Sequence, residues 1–181
     1  SYALLHGLAP DGGLYVPETF PEQVLQYKDL AGKSYQEIAS VVLSYFFTNF
    51  TDEERNTMIA SAYNETTFRD ERIVPLHSID TDVSISELFH GRTLAFKDLA
   101  LSLFPYLLTA AKAQEKEDRD ILILTATSGD TGKAALEGFK DVAGTNIMVF
   151  YPSEGVSPMQ KQQMQKQEGN NVNVSAIYGN F

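Results

Sequence analysis

The sequence predicts an α/β protein in which a parallel βαβαβ sheet unit follows a mainly helical N-terminal subdomain. Three observations carry this. Between Asp120 and Thr125 runs a continuous apolar segment, Ile121-Leu122-Ile123-Leu124. Two further strand-type runs, Asn146 to Tyr151 and Val172 to Ala176, follow it, each separated from the last by a helix-type segment. Continuous apolar strands alternating with helices mark a parallel sheet packed under those helices. The first third of the chain carries instead two capping boxes, each opening a segment with helical apolar spacing.

The chain has 181 residues, roughly one domain and two at most. The change of character divides it at 1–78, mainly helical, and 79–181, α/β. Apolar residues make up 43% and charged residues 21%, the balance of a folded globular protein rather than a disordered one. Cysteine is absent, which excludes disulfides, thiol catalysis and thiolate metal sites. It also suits a reducing compartment, so a cytoplasmic location is expected. The longest charge-free stretches, 38–51 and 99–111, are shorter than the ~18 apolar residues of a membrane span. No basic region followed by an apolar one opens the chain, so neither a signal peptide nor a membrane partner is expected.

Taken in order, Tyr2 to His6 reads as the end of a helix closed by Gly7. Pro10-Asp11-Gly12-Gly13 is a turn, and Leu14 to Pro17 a short strand. Ser34-Tyr35-Gln36-Glu37 opens a helix with an apolar stripe of Tyr35, Ile38, Val42, Tyr45 and Phe46. Thr51-Asp52-Glu53-Glu54 opens a second, with Met58, Ile59, Ala62 and Tyr63 as its buried face. Thr93 to Leu108 is expected to be one buried helix, kinked where Pro105 frees the carbonyl of Leu101. Residues 132–141 form the first crossover helix. Ser157-Pro158-Met159-Gln160 combines an N-cap, a proline at the first helical position and a box-type glutamine, and so starts the second. That helix runs to about Gln167 and stops at Gly169.

The net charge is −10, with −9 in residues 1–90 and −1 in 91–181. Such an acidic surface repels phosphate backbones, so nucleic acid is not an expected partner, and an anionic ligand is better sought in the second half. Two segments there could carry chemistry. Lys97 and Asp98 are the only charges in TLAFKDLALSLFPYLL (93–108). A lysine in such surroundings is paired, snorkels to water, or has a lowered pKa, and the last suits an amine nucleophile. Thr125-Ala126-Thr127-Ser128-Gly129-Asp130-Thr131-Gly132 lies between a strand and a helix. It is either an anion site of hydroxyls and free N–H groups, or an ordinary turn in which Asp130 or Thr131 caps the helix. It does not fit a phosphate-binding P-loop, which needs glycine at 127 and Ser or Thr at 134, where Thr127 and Ala134 stand. His6, His77 and His90 are scattered, so no metal site is expected.

Four segments in this order, Gly7 to Glu18 (GLAPDGGLYVPE), Glu87 to Asp98 (ELFHGRTLAFKD), Ala126 to Leu136 (ATSGDTGKAAL) and Gly155 to Met164 (GVSPMQKQQM), resemble the threonine synthase family. Those are pyridoxal-phosphate enzymes of the tryptophan-synthase-β-like fold. The resemblance spans the chain but implies a longer protein, of which these residues are an N-terminal fragment of roughly two-fifths. It implies conversion of O-phosphohomoserine and water to L-threonine and phosphate, with pyridoxal 5'-phosphate as cofactor. Lys97 is then the lysine that binds the cofactor and shuttles protons. Thr127, Ser128, Gly129 and Thr131 hold the substrate carboxylate, and Asp130 points away from it, toward the cofactor's ring hydroxyl.

The sequence departs from the family at Arg92, where proline is usual, which bears on the rigidity of the turn before Lys97. By the same resemblance, the cofactor's phosphate loop and the partner of its ring nitrogen lie beyond Phe181. The isolated chain is therefore expected to be inactive, with an apolar wall that a homodimer could cover. Two other readings stand at this point. One is a different pyridoxal-phosphate lyase of the same fold, such as a serine/threonine dehydratase, and the other a non-catalytic association domain.

Overall fold

The computed structural model describes residues 1–21, 25–127 and 129–179. In the N-terminal part, α1 (Tyr2–His6) ends at Gly7, whose φ of 67° is a conformation glycine adopts without strain. After the single turn of α2 (Tyr27–Leu30) come α3 (Tyr35–Phe46) and α4 (Asp52–Ala62). Both open on complete capping boxes. The hydroxyls of Ser34 and Thr51 accept from the N–H groups of Glu37 and Glu54, and each glutamate accepts in return from its cap N–H at 2.7 Å. Helix α4 buries Met58, Ile59 and Ala62, with Tyr63 just beyond, as its stripe predicts.

Helix α3 is rotated from the expected face. It turns Tyr35, Ala39 and Leu43 to the core, together with the following Phe47, while Val42 and Phe46 are exposed. The helix is apolar on more than one side. The edge-on contact of Tyr35 with Tyr63, 4.9 Å between ring centroids, accompanies the face that is buried. The short strand expected at Leu14 to Pro17 is reduced to one antiparallel bridge between Leu8 and Leu14, because no neighbouring strand among the described residues extends it. An antiparallel hairpin, β1 (Leu76–Ser78) with β2 (Ser84–Ser86), appears where none was read. Its turn is closed by the Asp80 carboxylate, which accepts from the N–H groups of Asp82 and Val83. The division at 78/79 falls inside this hairpin.

The single helix expected from Thr93 to Leu108 is absent. Residues 93–97 form turns, α5 (Asp98–Leu101) is one turn long, and α6 (Phe104–Gln114) begins afresh. Leu94 takes φ 65°, which no α-helix accommodates, and Pro105 has no N–H to bridge back to Leu101. The proline sits in the first turn of a new helix instead of kinking an old one.

The second half follows the prediction closely. Strands β3 (Ile121–Ala126), β4 (Thr145–Pro152) and β5 (Val172–Ile177) lie in the order β3-β4-β5 and are parallel throughout, with Ile121 beside Thr145 and Ile147 beside Val172. The crossovers are α7 (Asp130–Phe139) and α8 (Pro158–Gln165). Ile147, Val149 and Tyr151 of β4 join Leu136, Phe139 and Met164 of the helices in one apolar cluster. A second cluster runs from Phe50 through α4 to Phe68 and Ile73. Helix α6 serves both, giving Leu107 and Ala111 to the helical cluster and Leu108 to the other. The opposite face of β3 is open, with Leu122 and Leu124 59% and 63% exposed.

Helix α7 is held at very short range. A Cβ added to Gly132 would lie 2.2 Å from Thr127 Cγ2, and one on Gly138 would lie 2.4 Å from the backbone oxygen of Leu101. In an open helix, Gly→Ala stabilises by about 0.5–1 kcal/mol. At Gly138 the sign reverses, because a backbone oxygen cannot swing away. Gly138→Ala is expected to destabilise by about 1–3 kcal/mol in urea unfolding.

The capping boxes add a pH dependence. The cap N–H first, and then the cap hydroxyl, hold the carboxylates of Glu37 and Glu54 below their ordinary range. The folded chain therefore binds fewer protons than the unfolded one as pH falls. The caps stabilise fully above the ordinary glutamate pKa, and that stability is lost as pH drops through the lower folded value. Glu37→Gln with Glu54→Gln should leave a thermal midpoint that falls less steeply between neutral pH and about pH 3.

Candidate active site

The turn before Lys97 is built around one buried carboxylate. Asp98 is 4% exposed, and its Oδ2 accepts from the Thr93 N–H at 2.8 Å while Oδ1 accepts from the Thr93 hydroxyl at 2.6 Å. Gly91 passes so close that a Cβ there would lie 2.4 Å from Asp98 Oδ2. Leu94 N–H donates to the Gly91 carbonyl at 3.2 Å, which closes the turn. Asp98 is thus committed to Thr93 and not to Lys97. Lys97 caps α5 from outside, half-exposed, its amine 4.4 Å from the centroid of the Phe96 ring. Among the described residues it has no carboxylate partner.

Arg92 joins this turn to another element. Its guanidinium lies 3.6 Å from Glu137 of α7. The other oxygen of Glu137 accepts from the Gln167 amide at 3.0 Å, and the Gln167 carbonyl oxygen accepts from Lys133. Burial pushes the Lys133 amine below its ordinary value, while the nearby Glu137 and Asp98 carboxylates oppose that shift. A polar chain therefore ties the Lys97 turn, α7 and the segment after α8 together. Sequence reading missed it, since its contacts join residues 30 to 45 positions apart.

The second candidate segment turns inward. Thr127 is 6% exposed, and its hydroxyl oxygen accepts from the N–H groups of Gly129 at 3.1 Å and Gly132 at 3.2 Å. Thr127, and neither Asp130 nor Thr131, caps α7, reaching forward from the strand. The N–H groups of Asp130 and Thr131 are left without an acceptor among the described residues. The Asp130 carboxylate accepts from the Gln160 amide at 2.8 Å. Ser128 lies outside the described residues.

The two segments share one end of a helix pair. Lys133 feels the Asp98 carboxylate, and Gly138 meets the Leu101 carbonyl, so α5 and α7 start on the same side. Lys97 precedes the start of α5, and Gly129 to Thr131 stand at the start of α7. Among the described residues, the arrangement offers an amine without a carboxylate partner, two N–H groups without an acceptor and a carboxylate held through one oxygen. Asp98→Ala leaves both Thr93 groups without their acceptor, and is expected to lower stability by about 2–3 kcal/mol in denaturant unfolding.

Comparison with known proteins sets this fold beside the threonine synthases. Residues 1–63 match the model for the threonine synthase N terminus. The chain is 39% identical to a threonine synthase of Pseudomonas aeruginosa over 98% of its length, and 35% identical to that of Saccharomyces cerevisiae over 99%. The fold superposes on the crystal structure of a pyridoxal-phosphate-bound threonine synthase from Brucella melitensis with a TM-score of 0.87, at 41% identity over 99% of this chain. In each comparison the chain spans about 37–38% of the relative's length. By sequence and by fold, the chain is similar to the N-terminal part of threonine synthases.

Proposed function

We propose that the protein carrying this chain is a threonine synthase, which converts O-phosphohomoserine and water to L-threonine and phosphate with pyridoxal phosphate as cofactor. The observation that carries the reading is Lys97. It sits at a helix start on a turn fixed from within by Asp98, and its amine is free of any carboxylate among the described residues. Residues of this kind fit the cofactor, because an amine engaged in an ion pair would not be available to its aldehyde carbon. The cofactor, when bound, supplies an electron sink for negative charge at the substrate's reacting carbons.

The chain's residues hold and position. Lys97 Nζ would bind the cofactor and afterwards carry protons to and from the substrate carbons. The amides of Asp130 and Thr131, with Ser128, would orient the substrate carboxylate at the positive end of α7, while the Gly129 N–H is taken by Thr127. Thr127, whose hydroxyl already holds two N–H groups, keeps that turn in shape. Asp130, pinned through one oxygen, has the other available toward the cofactor's ring hydroxyl. A cytoplasmic location and a homodimer belong to the same proposal. The absence of cysteine supports the first, and the open face of β3 supports the second.

Borohydride reduction of the full-length protein with pyridoxal phosphate, followed by peptide mapping, tests the reading. The label is expected on Lys97, and Lys97→Ala is expected to lose both the label and phosphate release. A label on another lysine, with turnover retained in Lys97→Ala, would overturn it.

A further inference from the structure

We infer that Gln160 is a positioning residue that keeps the start of α7 open to an anionic ligand by holding the Asp130 carboxylate away from it. The effect on turnover rests on the function proposed above; the positioning itself does not. Gln160 is oriented at both ends of its amide. Its Nε2 donates to Asp130 Oδ1 at 2.8 Å, and its Oε1 accepts from the Ser157 hydroxyl at 3.0 Å. Ser157 in turn accepts from the Gln160 N–H at 3.3 Å, so the cap of α8 fixes the side chain that reaches α7. The missing Cβ of Gly129 makes room, since one built there would lie 2.5 Å from Gln160 Nε2.

Gln160 and Met164 are four residues apart and share a face of α8. Met164 is fully buried, with its sulfur 3.2 Å from where a Cβ on Gly132 would be. One face of α8 thus meets the first turn of α7 twice, through an apolar contact at Gly132 and a polar one at Asp130. Only the polar contact acts on charge.

Among the described residues no cation pairs with Asp130. Without the Gln160 amide, its carboxylate would be free to turn toward the N–H groups of the first turn of α7, where negative charge is favoured and which have no acceptor among the described residues. It would then occupy the donors an incoming carboxylate needs, and repel that carboxylate as well. With the amide in place, the N–H groups of Asp130 and Thr131 have no acceptor among the described residues. Losing Gln160 should therefore weaken substrate binding more than it weakens the fold.

The test uses the full-length protein with Gln160→Met, which keeps length and removes the donor, and Gln160→Glu, which sets two carboxylates together. Both are expected to raise KM for O-phosphohomoserine about tenfold or more with kcat changed by less than about threefold. Hydrogen exchange in the peptide spanning 127–133 should change, with the rest of the chain unaffected. Asp130→Asn combined with Gln160→Glu restores a donor–acceptor pair with the roles exchanged. Its penalty should be smaller than the product of the two single penalties. Unchanged KM and unchanged exchange in Gln160→Met would overturn the inference. So would single effects that multiply without coupling, or a KM effect that merely follows a lowered unfolding midpoint. If the unaltered protein releases no phosphate, the functional reading fails, and the exchange measurement still decides the positioning.

Discussion

Helix α7 can take only one position, and the candidate site depends on it. At Gly132 the helix touches the Thr127 methyl, Val149 of the sheet and Met164 of α8, and at Gly138 it touches the backbone of α5. Both contacts are at distances that no side chain beyond hydrogen would permit. Interiors packed this closely do not deform gradually. The helix start that carries Gly129 to Thr131 therefore inherits its place from the sheet on one side and from α5 on the other. Glycine, usually a weakness within a helix, is here the residue that sets the geometry.

The Lys97 turn is fixed by a different means. A charged group buried without a partner would be destabilising, but Asp98 has both oxygens engaged by Thr93, within five residues. The carboxylate acts as an internal template around which the chain reverses, and Leu94 accepts a positive φ to complete the reversal. The neighbouring lysine is thereby relieved of the carboxylate nearest to it in sequence. Arg92, through Glu137, then joins this local turn to α7. Where a proline would fix φ through its ring, Arg92 makes a contact between segments instead.

How much of this the sequence disclosed depends on range. The parallel unit was legible because Ile121 to Leu124 and the Ser157-Pro158 cap are strong local signals, and the capping boxes at Ser34 and Thr51 formed as read. The rotation of α3 was not legible, because Ile38, Val42 and Phe46 are as apolar as Ala39 and Leu43, and tertiary contacts decide between the faces. The break after Leu101 was foreshadowed by Pro105, but an apolar run carries no sign of the positive φ at Leu94. In the candidate site, Lys97 and the Thr127–Thr131 segment stood out by composition and order. Gln160 was visible only as a helix-start residue. Its reach to Asp130, thirty positions away, follows from the crossover and from no local pattern.

The open side of β3 has a consequence for the chain in bulk solution. Among the described residues, Ile121 to Ala126 stands at the edge of the sheet, uncharged, β-prone and with two leucines in water. Such an edge is a template on which another strand can pair. What opposes pairing is mutual repulsion between molecules of net charge −10, and most of that charge lies in residues 1–90, away in sequence from the strand. Repulsion of this kind is screened over about 10 Å at 0.1 M salt. Colloidal stability is thus governed by ionic strength: dilute buffer keeps the edges apart, and added salt favours self-association without any change in the fold.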